Sequence, residues 1–352
     1  MNATLVTSTE GSTGKTAVTL ALALAAAERD EAIGYMKPKG VRLRSHVGKV
    51  LDEDPMLARE LLDLDAELHE MEPVVYSPTF VEGAIRGEEY PDELRERIRE
   101  RFDELAEGRD RIFVEGGGLT TGALIGLTDP ELADLLDADV ILVAPYREPG
   151  DVDDVLVAAD RIGDRLTGVI FNAVADADFG RVETEVAPSL DGRGVRVLGV
   201  IPRDRELAGV TVGDLADELG AEVLTDVPTD AYVERLLVGA MGRDAALRHF
   251  RRTKDAVLVT GGDRADVQTV ALEAAGVKCL LLTGGLRPSA AVLGTAEERG
   301  VPVLLARTDT LTTIERAEEV VSGGRTRDER TVRRMAELLA DHADVDAALA
   351  GN

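Results

Sequence analysis

The stretch from Ala3 to Leu24, ATLVTSTEGSTGKTAVTLALAL, constrains the fold of this chain more than any other. A short apolar strand leads into a loop of Gly, Ser and Thr that ends in Gly14-Lys15-Thr16, and an Ala/Leu-rich helix follows at once. In such a layout, backbone N–H groups surround phosphate oxygens at a helix N-terminus. The lysine neutralises the terminal phosphates, and the Ser/Thr hydroxyl helps to hold Mg²⁺. The stretch therefore predicts a phosphate-binding loop for a nucleoside triphosphate.

The loop departs from the common pattern G-x-x-x-x-G-K-[ST], because Thr9 stands where that pattern has its first glycine. The apolar residues Ala17–Ala27 end in small side chains and resemble the core of a signal peptide. The long preceding segment, which includes Glu10, is better explained as a strand and a loop. We therefore interpret the start of the chain as part of the fold.

Apolar strands alternate with helical stretches from residue 1 to about residue 205. This alternation predicts βαβ units and a mostly parallel sheet with helices on both faces, the P-loop α/β class. Ligands of such sheets bind at the carboxyl ends of the strands. We predict strands at Thr4–Ser8, Ala32–Lys37, Arg111–Glu115, Val140–Ala144, Gly168–Asn172 and Val195–Ile201, and helices at Lys15–Arg29, Pro91–Glu107 and Val152–Arg165.

A second, smaller α/β domain is predicted after a junction at Pro202–Glu218. Its predicted strands are Glu222–Leu224, Ala256–Thr260, Val277–Thr283 and Val303–Ala306, and its predicted helices are Ala231–Gly242, Ala290–Arg299 and Thr312–Val321. Residues Asp328–Leu349 form an amphipathic pattern, and we expect that helix to pack on the second domain. The predicted division is 1–205, 206–325 and a helical tail at 326–352.

Composition limits the possible partners. The net charge is −27, and only six of the 40 basic residues are lysines. An acid-rich, lysine-poor chain suggests adaptation to high salt, although an ordinary acidic protein remains an alternative. The charge argues against nucleic acid and anionic membranes as partners.

No apolar stretch reaches the length of a membrane helix. The single cysteine, Cys279, is predicted to be a buried thiol in a cytoplasmic protein. The four histidines show no metal-binding spacing.

Three further segments carry candidate site residues. Lys37, in Tyr-Met-Lys-Pro-Lys-Gly, ends the second strand near the loop and can neutralise a phosphate or carboxylate during transfer. The run Asp52-Glu53-Asp54-Pro55 is either a Mg²⁺ ligand source or a solvated acidic run. Glu115 ends an apolar strand before three glycines, which suits a carboxylate on Mg²⁺ with the backbone close to a ligand.

Together these segments resemble dethiobiotin synthetase and the related P-loop domain near the N-terminus of long phosphotransacetylases. The resemblance covers roughly residues 2–205. It implies an ATP site with Lys15 and Lys37 as the catalytic lysines and with Mg²⁺ on Thr16, Asp54 and Glu115. It also implies that Asn172 recognises the adenine. The full implied nucleotide-binding set is Glu10, Gly11, Ser12, Thr13, Gly14, Lys15, Thr16, Ala17, Asn172 and Pro202.

The chain departs from dethiobiotin synthetases on the substrate side. Ser8 replaces the glycine that usually opens their loop, Gly11-Ser12 replaces Thr-Glu, and Lys39-Gly40-Val41 replaces a turn that carries serine. These differences count against a biotin precursor as substrate. Glu10 stands where partition-type ATPases have their signature lysine, which counts against that branch as well.

The second domain resembles the DRTGG domain through Gly262-Asp263-Arg264, Leu282–Pro288 and Asp309-Thr310. The order of domains resembles the first two domains of long phosphotransacetylases. Acetyl transfer itself is not expected, because that further domain would need about 300 more residues, more than one ordinary domain. The resemblance implies a regulatory role and a homodimer. The glycine turns indicate either a site for an unidentified anionic small molecule or plain turn geometry.

Three functional hypotheses follow from these residues. The first is a cytoplasmic protein that binds Mg-ATP, with a slow or regulated ATPase activity coupled to the DRTGG-like domain. The second is an ATP-dependent ligase that phosphorylates a small carboxylate, with Lys37 stabilising the transferring phosphoryl group. The third is a structural dimer module with a vestigial site, which the intact Lys15, Thr16 and Glu115 count against.

Overall fold

The computed structural model describes residues 1–40, 43–46, 49–239, 250, 252–323 and 328–351. The chain divides into two compact units. One is formed by Met1–Arg203 together with Thr326–Asn352, and the other by Asp204–Arg325. Both units are built on parallel strands with helices, so the predicted α/β class is confirmed.

The first segment of unit one contains ten strands and nine α-helices among its described residues. The strands are β1 (Asn2–Ser8), β2 (Ile33–Met36), β3 (Lys39–Gly40), β4 (Leu43–His46), β5 (Lys49–Asp52), β6 (Val74–Val75), β7 (Arg111–Glu115), β8 (Asp139–Ala144), β9 (Leu166–Val174) and β10 (Val197–Pro202). The helices are α1 (Lys15–Ala27), α2 (Glu53–Leu61), α3 (Leu68–Met71), α4 (Pro78–Ile85), α5 (Pro91–Ala106), α6 (Asp129–Leu136), α7 (Asp151–Ile162), α8 (Asp176–Arg181) and α9 (Ala187–Asp191).

Six of these strands form one sheet in the order β10-β9-β8-β1-β7-β2, and all five pairings are parallel. A parallel sheet is buried on both faces, which is why its strands are apolar throughout. On one face Leu5 and Val114 pack in a core with Phe102 of α5 and Leu132 of α6. The first strand, β1, lies between β7 and β8, with Val6 opposite Glu115. The ends of β1 and β7 therefore meet at one edge of the sheet.

Unit two contains a five-stranded sheet. Its order is β12 (Glu222–Val223), β17 (Val303–Leu305), β16 (Val277–Thr283), β15 (Ala256–Gly261) and β14 (Arg235–Val238). In this sheet only β12 is antiparallel to its neighbour. Leu258 and Leu280 belong to the core on one face, and Val257 and the buried thiol of Cys279 to that on the other. Its strands are β11 (Val210–Thr211), β12 (Glu222–Val223), β13 (Tyr232–Val233), β14 (Arg235–Val238), β15 (Ala256–Gly261), β16 (Val277–Thr283) and β17 (Val303–Leu305). Its helices are α10 (Arg205–Ala208), α11 (Val212–Leu219), α12 (Ala265–Leu272), α13 (Ala290–Glu298) and α14 (Thr310–Gly323).

One prediction for this part of the chain is wrong. The helix predicted at Ala231–Gly242 is replaced by β13 and β14, with residues 240–242 outside the described part. The reason is tertiary: β14 pairs with β15 and buries Leu237 in the core of unit two. The predicted junction at Pro202–Glu218 contains the boundary between the two units, which falls between Arg203 and Asp204, and it also contains α11, whose Leu215 is buried.

The chain ends with two helices, α15 (Glu329–His342) and α16 (Val345–Ala350). The expectation that this tail packs on the second domain is wrong, because it belongs to unit one and α15 lies against α1. Ala343 forms an isolated bridge with Gly199 of β10, and the Asp344 amide donates to the Leu198 carbonyl at 2.7 Å. A side chain at residue 199 would reach within 2.5 Å of the Ala343 Cβ, so this contact requires glycine.

The physical reason for this packing lies in α1. Nine of its thirteen residues are buried, so it needs apolar cover on both sides. The sheet covers one side, and α15 brings the buried side chains of Met335, Leu338 and Leu339 to the unit. Among the described helices, none is long and apolar enough to cross a membrane.

We predict that Leu339→Ala destabilises unit one by about 2–5 kcal/mol, because it removes buried methyl groups and leaves a cavity. Hydrogen exchange of the α1 amides should accelerate, while exchange in β15 and β16 of unit two should not change. The control is Glu337→Ala on the exposed side of α15, expected to stay within about 0.5 kcal/mol of the parent. Faster exchange in β15 and β16 with no change in α1 would contradict the assignment of the tail to unit one.

Candidate functional site

The loop between β1 and α1 has the backbone of an anion site. Ser12 and Gly14 take left-handed conformations, with φ of 57° and 85°, and these turn the chain into the start of α1. Gly14 is the N-cap of that helix, and no side chain caps it. The first N–H groups of a helix have no intrahelical acceptor and carry positive partial charge. This helix start is therefore suited to phosphate oxygens.

Asn172 supports the loop from the neighbouring part of the sheet. Its Nδ2 donates to the carbonyl of Thr13 at 2.8 Å, and a Cβ at residue 14 would lie 2.4 Å from that nitrogen. Ala173, with φ of 56°, forms part of a bulge between β9 and β10. Bulges redirect side chains locally, which explains how Asn172 turns from the strand towards the loop.

The hydroxyl of Thr13 is buried and has no hydrogen-bond partner within the described residues. An unsatisfied buried hydroxyl costs free energy, so such groups usually have a partner in the functional state. A phosphate oxygen held by the loop would accept this hydrogen bond. The orphaned hydroxyl is thus one observation that fits a phosphate ligand.

Lys15, the first residue of α1, folds back over the loop. Its Nζ donates to the Ser8 Oγ at 3.0 Å, and that hydroxyl donates in turn to the Glu10 carbonyl at 2.6 Å. Ser8, which stands where dethiobiotin synthetases have glycine, therefore positions the loop lysine. The Glu10 carboxylate points away and pairs with Arg147 at 2.7 Å.

Lys37 lies at the centre of a buried cluster of three carboxylates, which we call the Lys37 cluster. Its Nζ is 2.8 Å from Asp52 Oδ2 and 3.3 Å from Glu115 Oε1, and it contacts Asp54 Oδ2 more closely still. None of these four side chains is more than 2% exposed. Asp52 is also the N-cap of α2, and its carboxylate accepts a hydrogen bond from the Asp54 amide at 3.0 Å, which fixes the Asp52 side chain.

Glu115 connects this cluster to the loop. Its Oε1 accepts a hydrogen bond from the Thr16 hydroxyl at 2.9 Å, and its Oε2 accepts one from the Tyr35 hydroxyl at 2.9 Å. Three predicted site residues, Thr16, Lys37 and Glu115, are thus brought into direct contact although they come from distant parts of the chain. Asp54 joins them through Lys37.

Burial and charge shift the protonation of the cluster in opposite directions. Burial alone would lower the pKa of Lys37, but Glu115, Asp54 and Asp52 outweigh it and raise that pKa, so the lysine stays charged. Burial raises the pKa of Glu115 to about 7, against the opposing effect of Lys37. Burial and the neighbouring Glu115 also raise the pKa of Tyr35, which remains a neutral donor. Burial, followed by the charge of Asp52, raises the pKa of nearby Glu72 to about 7.

The predicted metal ligands are close together but do not form a closed metal site. Among the residues that the structure describes, no group of three His, Cys, Asp or Glu side chains is arranged to hold a metal ion. The ammonium of Lys37 stands between the carboxylates instead. Thr16, Asp54 and Glu115 nevertheless offer the oxygen donors that Mg²⁺ prefers, and Mg²⁺ commonly takes only one or two carboxylates besides phosphate oxygens and water.

Lys39, in the segment that replaces the serine-bearing turn of dethiobiotin synthetases, is also buried. Its Nζ is buried and donates to the Thr121 carbonyl at 2.6 Å, to the Leu127 carbonyl and to Asp129 Oδ1 at 3.3 Å. Burial lowers its pKa, against the opposing charge of Asp129. The chain leaves β2 at Met36 and begins β3 at Lys39, so Lys37 and Lys39 point to different acids.

The other predicted residues lie around the same edge of the sheet or beside it. Gly11 and Ser12 are exposed on the loop, Ala17 is buried in α1, and Pro202 ends β10, which is the edge strand. Tyr35 and Asp129 could not be predicted from the sequence as site residues, and Asp52 is predicted only as a member of an acidic run. A buried acid at a helix start gives no sequence signal beyond ordinary capping, so geometry was needed to find them.

These features define a P-loop α/β protein. Residues 2–211 match the model of a family described as an AAA domain, and residues 214–320 match the DRTGG domain. Because the first match spans more than half of the sequence, the chain belongs to this AAA-domain family and carries a DRTGG domain after it. The predicted resemblance is confirmed.

The chain is also similar to proteins of known class. It is 29% identical to a phosphate acetyltransferase of Pseudomonas putida, over 98% of this chain and 51% of that protein. It is 30% identical to the phosphate acetyltransferase of Pseudomonas aeruginosa, over 95% of this chain and 49% of that protein. The ATP-dependent dethiobiotin synthetase BioD of Methanocaldococcus jannaschii is 27% identical over 49% of this chain and 79% of its own length. The chain spans about half the length of the phosphate acetyltransferases that it matches.

The pKa of Glu115 predicts how stability changes with pH. The native state holds this proton up to about pH 7, whereas the ordinary value is 4.5. The free energy of unfolding should therefore fall as pH rises from about 4.5 to 7. Glu115→Gln should make this slope shallower, with the remainder due to Glu72, in urea unfolding at several pH values.

Glu131→Gln is the matched control for this experiment. Slight burial opposes the shift, but hydrogen bonds from Thr128 lower the pKa of Glu131. Its contribution to stability is therefore lost only below its ordinary range, and the slope from pH 4.5 to 7 should not change. An unaltered slope in Glu115→Gln would show that this carboxylate is already ionised below pH 4.5.

Proposed function

We propose that this chain binds Mg-ATP at the loop of unit one and hydrolyses it slowly or under the control of the DRTGG domain. The observation that carries the proposal is the contact between the loop and the Lys37 cluster through Thr16 and Glu115. That contact joins an uncapped helix start, two lysines and three predicted metal ligands at the carboxyl ends of the strands of a parallel sheet, where such sheets bind ligands.

Each group has a role that follows from its chemistry. The amides at the start of α1 and the hydroxyl of Thr13 donate to phosphate oxygens. Lys15 and Lys37 supply positive charge where negative charge accumulates on the terminal phosphate. Thr16, Asp54 and Glu115 would hold Mg²⁺, which when bound neutralises charge on the phosphates. Asn172 fixes the loop through Thr13, and we keep its contact with the adenine as part of the proposal.

The regulatory role of the DRTGG domain, the homodimer and the unidentified small molecule belong to the same proposal. We also propose that the protein works in a cytoplasm of high salt, which the net charge of −27 and the small number of lysines support. At high ionic strength the repulsion among surface carboxylates is screened within a few ångströms.

Lys15→Ala should weaken Mg-ATP binding at least about tenfold in titration calorimetry, because it removes a full charge next to the phosphates. Its thermal unfolding should stay close to that of the parent, since the contact between Lys15 and Ser8 is only partly buried. Lys278→Ala, which removes a lysine of unit two, serves as the matched control and should leave the affinity unchanged. Unchanged affinity in Lys15→Ala would disprove the assignment of the loop.

A second candidate function is an ATP-dependent ligase that phosphorylates a small carboxylate. The observation that favours it is the position of Lys37, buried one contact away from Thr16 through Glu115, where a lysine can stabilise a transferring phosphoryl group. The similarity of unit one to a dethiobiotin synthetase also supports it.

The release of ADP distinguishes the two candidates. With Mg-ATP in high salt, the regulated ATPase should release ADP slowly and alike across a panel of small carboxylates and amines. The ligase should respond to one of them with a rate about a hundredfold or more higher, the scale of well-positioned catalysis. Stimulation by a single substrate would contradict the regulated ATPase, and its absence across the panel would count against the ligase.

A further inference from the structure

The three amides that follow Glu115 are all directed into the protein. The Gly116 amide donates to the Val6 carbonyl at 2.9 Å. The Gly117 amide donates to Asp129 Oδ1 at 3.1 Å, and the Gly118 amide donates to Asp129 Oδ2 at 2.7 Å. One buried carboxylate, at the first residue of α6, therefore fixes two neighbouring backbone groups directly behind the acid that contacts Thr16 and Lys37.

Lys39 binds backbone carbonyl groups of the segment between Gly118 and α6. It pairs with Asp129 and donates to the carbonyls of Thr121 and Leu127, so it joins both ends of the segment that returns from Gly118 to α6. Both side chains of the pair are fully buried. A charged pair of this kind is costly to bury and is retained only where its hydrogen bonds are satisfied.

Asp129 also reaches the strand that begins the phosphate loop. The hydroxyl of Thr7 donates to Asp129 Oδ2 at 2.6 Å, and the next residue, Ser8, accepts the hydrogen bond from Lys15. Asp129 thus bonds to the residue before the loop and to the residues after Glu115. The surroundings leave no space for a side chain: a Cβ at residue 116 would lie 2.2 Å from Asp129 Oδ2.

We propose that Asp129, with Lys39 as its counter-charge, is a positioning residue that fixes Glu115 relative to the phosphate loop. This inference rests on the proposed function, because it assigns to Asp129 the alignment of a site for the terminal phosphate and its metal ion. Asp129 touches neither ligand. It acts through the amides of Gly117 and Gly118 and through the hydroxyl of Thr7.

The test uses the full chain and a charge-balanced pair of substitutions, Lys39→Met/Asp129→Asn. The matched control is Glu31→Gln/Arg111→Met, which removes the partly buried pair at the opposite end of β7, where the two groups are 2.9 Å apart. Hydrogen exchange of the Gly117 and Gly118 amides is measured without nucleotide. Affinities for Mg-ATP and Mg-ADP are measured by calorimetry.

We expect faster exchange of these two amides and a loss of Mg-ATP affinity on the order of ten- to a hundredfold, as for other groups that orient metal ligands. Mg-ADP affinity should change much less, because the loop and α1 are untouched. The control should show neither effect. Thr7→Val, which keeps both charges, should give a smaller loss in the same direction and covers the case in which the double variant does not fold.

Two results would overturn the inference while leaving the proposed function intact. Faster exchange with unchanged Mg-ATP affinity would make the Asp129 bonds purely structural. Tighter Mg-ATP binding would mean that Asp129 competes with the phosphate for the glycine amides. Failure of the unsubstituted chain to bind Mg-ATP would instead contradict the proposed function, and this inference would fall with it.

Discussion

The ammonium of Lys37, enclosed by Asp52, Asp54 and Glu115, is the interaction on which the arrangement of the site depends. Buried charges are tolerated only when they are paired and hydrogen-bonded, so these groups constrain one another. The cluster joins the end of β2, the start of α2 and the end of β7, and Glu115 extends it to Thr16 on the phosphate loop. Removing one member of a buried ion pair typically costs about 3–5 kcal/mol, because the remaining charge is left without a partner.

A second buried lysine, Lys39, lies on the other side of the glycines that follow Glu115. Lys37 engages the acids nearest to the phosphate loop, whereas Lys39 engages Asp129 and two carbonyls behind the glycines. The pKa values of the two lysines shift in opposite directions for a physical reason. Three carboxylates outweigh burial and raise the pKa of Lys37, whereas one carboxylate does not, so the pKa of Lys39 is lowered.

Much of unit one could be predicted from sequence, because apolar strands and helix starts are local signals. Arg111–Glu115 has the predicted bounds, and Thr4–Ser8 lies within the observed strand. The position of the site at the carboxyl ends of the strands could also be predicted, because parallel strands end on the same side of the sheet. The site roles of the predicted residues remain predictions, although Thr16, Lys37, Asp54 and Glu115 lie in one cluster.

The features that could not be predicted from the sequence depend on tertiary contacts, which no local pattern reveals. Strand β14 forms because β15 offers it an edge, which overrides a helical pattern at Ala231–Gly242. The tail lies on α1 because that helix is apolar on both sides and Gly199 leaves space for Ala343. The lysine-to-acid pairing in Lys39–Asp129 spans 90 residues and has no signature in spacing.

The protons released when Mg-ATP binds provide a direct test of the role of Glu115. Glu115, with a pKa of about 7, must lose its proton if it turns to a metal ion beside Thr16. Calorimetry at pH 7 in buffers of different ionisation enthalpy should show net proton release in the parent chain, and less release in Glu115→Gln. A binding enthalpy that does not depend on the buffer, or the same release in both chains, would contradict the role of Glu115 at the centre of this site.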